Sequence, residues 1–153
     1  MDGEFSHTYS AFIRANPDQV WKALTDPAQT VQYFPYSAAR SDWQAGSACT
    51  YAAADGSIGA EGTVVQANPP HRLVQTIHVN AFRGYSGHPE FTLTWDIEQF
   101  GEATKLTVTH TGPDTISEFL LIATSHCPHT VSGVKTLLET GTPLRISDPA
   151  LAR

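Results

Sequence analysis

Seven apolar residues near the C-terminus, Ile116, Leu120, Ala123, Cys127, Val131, Val134 and Leu138, recur at spacings of three and four. That is one stripe of a long amphipathic helix. No other stripe in the chain is long enough to cover a sheet, so whatever precedes it must be built to receive it. Pro128 falls inside the stripe and predicts a break or kink, with the cleaner helix over about Pro128 to Thr140. Gly141 and Pro143 supply the stop.

What precedes it is mostly strand. Phe5 to Arg14 alternates, with Tyr9, Ala11 and Ile13 on one face. Asn16-Pro17 and Asp26-Pro27 are two cap-plus-proline helix starts in quick succession, the second helix running to about Phe34 before Pro35. Ser37 to Trp43 is a weak strand. Ser47 to Ala54 and Ile58 to Ala67 flank the turn at Asp55-Gly56. Asn68-Pro69-Pro70 forces an irregular connection, and the inward face near Val64-Val65 stays open. Arg72 to Asn80 alternates, with Leu73, Gln75, Ile77 and Val79 on one face. Gly84 to Pro89 reads as a loop. Phe91, Leu93, Trp95 and Ile97 alternate strictly with polar residues, and Leu106, Val108 and His110 face inward on the last strand, which ends at Gly112-Pro113. The expected order is one strand, two short helices, about six antiparallel strands and the long helix. A curved sheet around one helix leaves room for a cavity between them.

Composition fits one globular domain over residues 1–153, with a core over about 5–145 and a loose tail at 146–153. Charged residues are 16%, below the usual ~25%, and aromatics are 10%, so the chain is not disordered. The net charge of −6 argues against nucleic acid and anionic membranes as partners. No apolar run approaches the roughly 18 residues of a membrane span. The acidic start Met1-Asp2-Gly3-Glu4 predicts no signal peptide, and Cys49 and Cys127 read as free thiols, so a cytoplasmic location is expected.

Four stretches carry a resemblance. Tyr9 to Pro27, Gly62-Thr63-Val64-Val65 with Asn68-Pro69-Pro70-His71-Arg72-Leu73, Thr104 to Gly112, and Lys135 to Gly141 occur in order. Together they resemble the SRPBCC (START-like, helix-grip) superfamily, in the branch named after the activator of the heat-shock-protein ATPase. The resemblance implies an α+β helix-grip fold: a seven-stranded curved antiparallel sheet wrapped around a long C-terminal helix, with two short helices after the first strand. One departure stands out. Where the family often has Gly-Trp-Pro, this chain has His126-Cys127-Pro128, so a bulky aromatic is missing where helix meets sheet.

The candidate ligand-binding residues are Tyr33, Phe34, Tyr51, Gln75, Ile77, Phe91, Trp95, His110, Phe119, His126, Cys127, Val131 and Val134. The rings suit a flat apolar ligand, and Gln75 and His110 are its expected polar anchors. The same rings could simply fill the core. No catalytic residue is assigned; His110 and His126 are the candidates for acid–base work. His126, Cys127 and His129 form a compact cluster, but no distant partner has ligand spacing and Pro128 disturbs the geometry, so no metal is expected. Nothing around Cys127 marks a nucleophile. His7, His71, His78 and His88 are read as outward or in loops. No Walker loop, dinucleotide fingerprint or Ser-His-Asp order appears, so no cofactor is expected.

Three functions follow. The first is binding of a small hydrophobic, possibly aromatic, molecule in the cavity. The second is an aromatase- or cyclase-like enzyme using a pocket His or Tyr. The third, implied by the family name, is a chaperone-interacting domain. The chain is expected to be a monomer or a homodimer, since sheet edges and the loop Arg83 to Pro89 are exposed in such folds.

Overall fold

The chain runs β1 (Glu4–Ile13), α1 (Pro17–Thr25), α2 (Pro27–Thr30), β2 (Ala38–Ser41), β3 (Ala48–Ala52), β4 (Ile58–Asn68), β5 (Arg72–Val79), β6 (Phe91–Phe100), β7 (Ala103–Pro113) and α3 (Ser117–Thr140). The structure is a computed structural model. It describes residues 4–33, 37–79, 90–113 and 117–144, with side chains over 6–33, 37–78, 90–112 and 127–144. The loop expected at Gly84 to Pro89, His88 and the tail at 146–153 lie outside the described residues.

The two helix starts form as their residues dictate. The Asn16 side chain accepts from the N–H of Gln19 at 2.8 Å, and the Gln19 side chain accepts from the N–H of Asn16 at 2.9 Å. This reciprocal box satisfies two helix-end donors. Asp26 accepts from the N–H of Ala28 at 3.0 Å and opens α2. α2 is shorter than expected. It ends at Thr30 and turns through Tyr33 instead of reaching Phe34.

All seven strands form one antiparallel sheet in the order β1-β7-β6-β5-β4-β3-β2. The first strand therefore pairs with the last, and β2 lies at the far edge. Phe91, Leu93, Trp95 and Ile97 are buried on β6, and Leu106, Val108 and His110 on β7. The open question at Val64-Val65 is resolved by a bulge. Val64 pairs with Gln75 and Gln66 with Val74, so Val65 is the extra residue. Val64 is fully buried while Val65 is 52% exposed. Gly62 is required where β4 meets β5: a Cβ there would overlap the Thr76 carbonyl oxygen.

α3 covers the inner face. Cys127, Val131 and Val134 are buried against the sheet's inward residues. A break or kink is expected at Pro128; of the two, the break does not occur, and the helix runs through it. Pro128 has no N–H, so it removes the bond that Thr124 would accept, and packing holds the remaining turns together. A second correction concerns β1. His7 lies two residues before Tyr9, on the inward face, and its Nε2 is buried. It is not an outward residue.

Candidate functional site

Two polar clusters stand on the inner face. The first is built on Gln75, which is fully buried in β5. Its Nε2 donates to the Tyr51 hydroxyl at 2.8 Å and to the Cys49 Sγ at 3.4 Å. Its Oε1 accepts from the Trp95 indole N–H at 2.9 Å. Strands β3, β5 and β6 thus meet through one amide. A buried amide costs free energy unless its donors and acceptors are met, and here both ends are used. Burial pushes the Tyr51 phenol and the Cys49 thiol up, so both keep their protons at neutral pH.

The second cluster is built on His110 at the end of β7, which is 3% exposed. Its Nδ1 lies 3.0 Å from the Cys127 Sγ on α3. Its ring stacks on Phe91, with centroids 4.8 Å apart and planes 18° from parallel. Across the ladder its register partner is His7. Burial pushes the Cys127 thiol up to about 12. The Sγ and Nδ1 share one hydrogen bond whose direction follows the imidazole tautomer. The pair is therefore a thiol hydrogen-bonded to an imidazole, and a reactive thiolate is disfavoured.

Tyr33 ties the segment after α2 to the helices. Its hydroxyl donates to the Ala23 carbonyl at 2.6 Å. Its Cβ lies against α3 at Gly133, where an added Cβ would come within 2.6 Å. Burial holds this phenol well above its usual range.

Of the sequence candidates, Tyr51, Gln75 and Trp95 come together in the first cluster, and Phe91, His110 and Cys127 in the second. Ile77, Val131 and Val134 are buried on the same inner face. Tyr33 stands on the helix side. Phe34 lies outside the described residues, and Phe119 and His126 outside the described side chains. His7, Cys49 and Gly133 were missed. Counting back by two from Tyr9 places His7 inward, and Cys49 shares the parity of Tyr51. No local signal marks Gly133. Among the described residues, no group of three or more His, Cys, Asp or Glu side chains is arranged to hold a metal ion. No described helix is long and apolar enough to cross a membrane.

Comparison with known proteins gives a consistent fold. A family model described as Activator of Hsp90 ATPase homolog 1-like protein matches residues 14–122. No curated protein matches the sequence. Among solved structures, DynU16, from the dynemicin biosynthetic locus, superposes with a TM-score of 0.77 at 24% identity, covering 92% of this chain and 49% of its own. This chain thus spans about half of DynU16. CalU16 from Micromonospora echinospora has a TM-score of 0.70 at 20% identity, covering 95% of this chain and 78% of its own. PFC0360w, an HSP90 activator from Plasmodium falciparum, has a TM-score of 0.67 at 16% identity, covering 88% of this chain and 96% of its own. At these identities the likeness is one of fold.

Proposed function

The chain belongs to the Activator of Hsp90 ATPase homolog 1-like family, and from that premise we propose that it binds a small hydrophobic molecule with a flat ring between the sheet and α3. The observation that carries this is the His110–Phe91 stack. It stacks one phenyl ring on one imidazole at the inner face of the sheet, among the buried apolar side chains of β6 and β7. Apolar surroundings supply affinity, at roughly 25 cal/mol per Å² of surface removed from water. The imidazole is a polar point of that face, its Nδ1 already 3.0 Å from the Cys127 Sγ. The Gln75 cluster serves as a fixed wall. Its amide is already bonded at both ends, so it holds Tyr51 and Trp95 in place.

The test is native mass spectrometry of the purified protein, joined to a thermal-shift screen of aromatic polyketides, flavonoids and fatty acids. A bound mass, or a Tm that climbs with ligand concentration, is expected; at a hundredfold excess over Kd the gain is about 2.7 kcal/mol. Phe91→Leu and His110→Ala should each shrink that shift. No bound species and no shift across the panel would sink the proposal.

A second reading is action on a chaperone ATPase, supported by the family description and by PFC0360w being an HSP90 activator. It predicts that adding the protein raises the ATPase rate of a purified Hsp90. An unchanged rate would remove it.

A further inference from the structure

α3 does not lie evenly over the sheet. It runs along β1 and β7, where Cys127 meets His110 and Lys135 Nζ donates to the Phe12 carbonyl at 2.7 Å. Among the described residues, no Cα of α3 comes within 8 Å of one in β2, β3, β4, β5 or β6. A sheet twists, so a straight helix follows some of its strands and parts from the others. Side chains must span the wider half, because a gap there forfeits their contacts.

On the sheet side that span is the Gln75 cluster. On the helix side it is Tyr33. Its Cβ lies against Gly133, a buried position of α3 where any added Cβ would come within 2.6 Å. Its hydroxyl donates to the Ala23 carbonyl of α1 at 2.6 Å. The ring is therefore held at both ends, by two different helices, and it packs against the buried core. Burial, and after it the nearby Tyr51 phenol of β3, raise the Tyr33 phenol above its ordinary range. Tyr33 thus stands between α3 and the far strands, facing the cluster that Tyr51 belongs to.

Position along α3 gives a length. Cys127 marks the level of the His110–Phe91 stack, and Gly133 marks the level of Tyr33. The helix rises about 9 Å between them, at 1.5 Å per residue. Val131, fully buried, is the inward residue of that stretch.

We infer that Tyr33 sets the size of the ligand and holds it to one ring or two fused rings. This rests on the binding reading above. A flat ring system beside the His110–Phe91 stack can extend along α3 only as far as Tyr33. A third fused ring reaches it and cannot bend aside, and Tyr33 cannot turn away without giving up its bond to Ala23. Overfilling a packed interior is destabilising, so a ligand of that size is rejected.

Calorimetric titration with a hydroxynaphthalene and a hydroxyanthraquinone tests this. Burial of apolar surface alone favours the larger compound. The wild-type protein should instead bind the two-ring compound about tenfold more tightly or better. Tyr33→Ala should abolish that order by raising the affinity for the three-ring compound about tenfold or more. Tyr33→Phe keeps the ring and loses only the bond to Ala23, so the preference for two rings should survive, which separates ring volume from the hydrogen bond. Should Tyr33→Ala fail to fold, Tyr33→Leu, which keeps a side chain against Gly133, decides in its place. A wild-type protein that takes three rings as readily as two, or a preference left unchanged in the folded alanine or leucine variant, overturns the inference while ligand binding itself stands. No binding of either compound by any form would overturn both this inference and the reading it rests on.

Discussion

Gln75 shows how much one side chain can organise. Its amide joins Tyr51, Trp95 and Cys49, which come from three strands. Gln75→Leu keeps the volume and removes every one of those bonds, leaving an indole N–H and a phenol short of a partner. We expect a loss of roughly 1–3 kcal/mol, read as a clear fall in Tm; a fall no larger than that of a surface substitution would show the network to be dispensable. Gly133→Ala is expected to lower stability by about 1–3 kcal/mol, because the new methyl group meets the Tyr33 Cβ at 2.6 Å. Cys127 gives a pH dependence. Its thiol ordinarily loses its proton at 9.0 but in the fold only at about 12. Between those values the unfolded chain releases a proton that the folded chain keeps, so stability is full below pH 9 and falls as pH rises, by up to about 1.4 kcal/mol per unit. Cys49 and the buried tyrosines act with the same sign. The check is therefore a difference: Cys127→Val should flatten the alkaline limb of urea unfolding relative to wild type, and an unaltered limb would count against the assignment.

At the scale of elements, α3 has a weak point and a clasp. The weak point is Pro128 in mid-helix. Pro128→Ala restores a main-chain bond and is expected to raise stability by up to about 3 kcal/mol, seen as a higher Tm. The clasp is Glu139, which accepts from Lys135 at 2.8 Å and from the Arg14 N–H. These bonds hold its carboxyl below its ordinary 4.5. Its contribution is thus present above pH 4.5 and lost as pH falls through the folded value. Glu139→Gln should remove that part of the acid-side loss, and acid titration of Tm for both proteins checks it. What the sequence made legible follows the same division. Strand parity read well where one face is polar throughout, as in Phe91 to Glu98, and both caps were plain in Asn16-Pro17 and Asp26-Pro27. It failed at His7, because histidine suits either face and only counting from Tyr9 decides. The break expected at Pro128 did not form, since tertiary burial of Val131 and Val134 outweighs a local preference. Gly133 was invisible because its reason is a tyrosine a hundred residues earlier in the chain.

For the molecule as a whole, the pairing of β1 with β7 has a consequence in time. Thr8 meets Thr109 across a separation of 101 residues. At roughly 5–20 residues per second of synthesis, on the order of ten seconds pass between the two leaving the ribosome. During that interval the nine uncharged residues from Phe5 to Ile13 have no ladder to join. Contacts this distant also slow folding, since the loop must close before any bond rewards it. Strand β1 is therefore synthesised about a hundred residues ahead of the strand that secures it, and it takes its place in the sheet only after that strand has emerged.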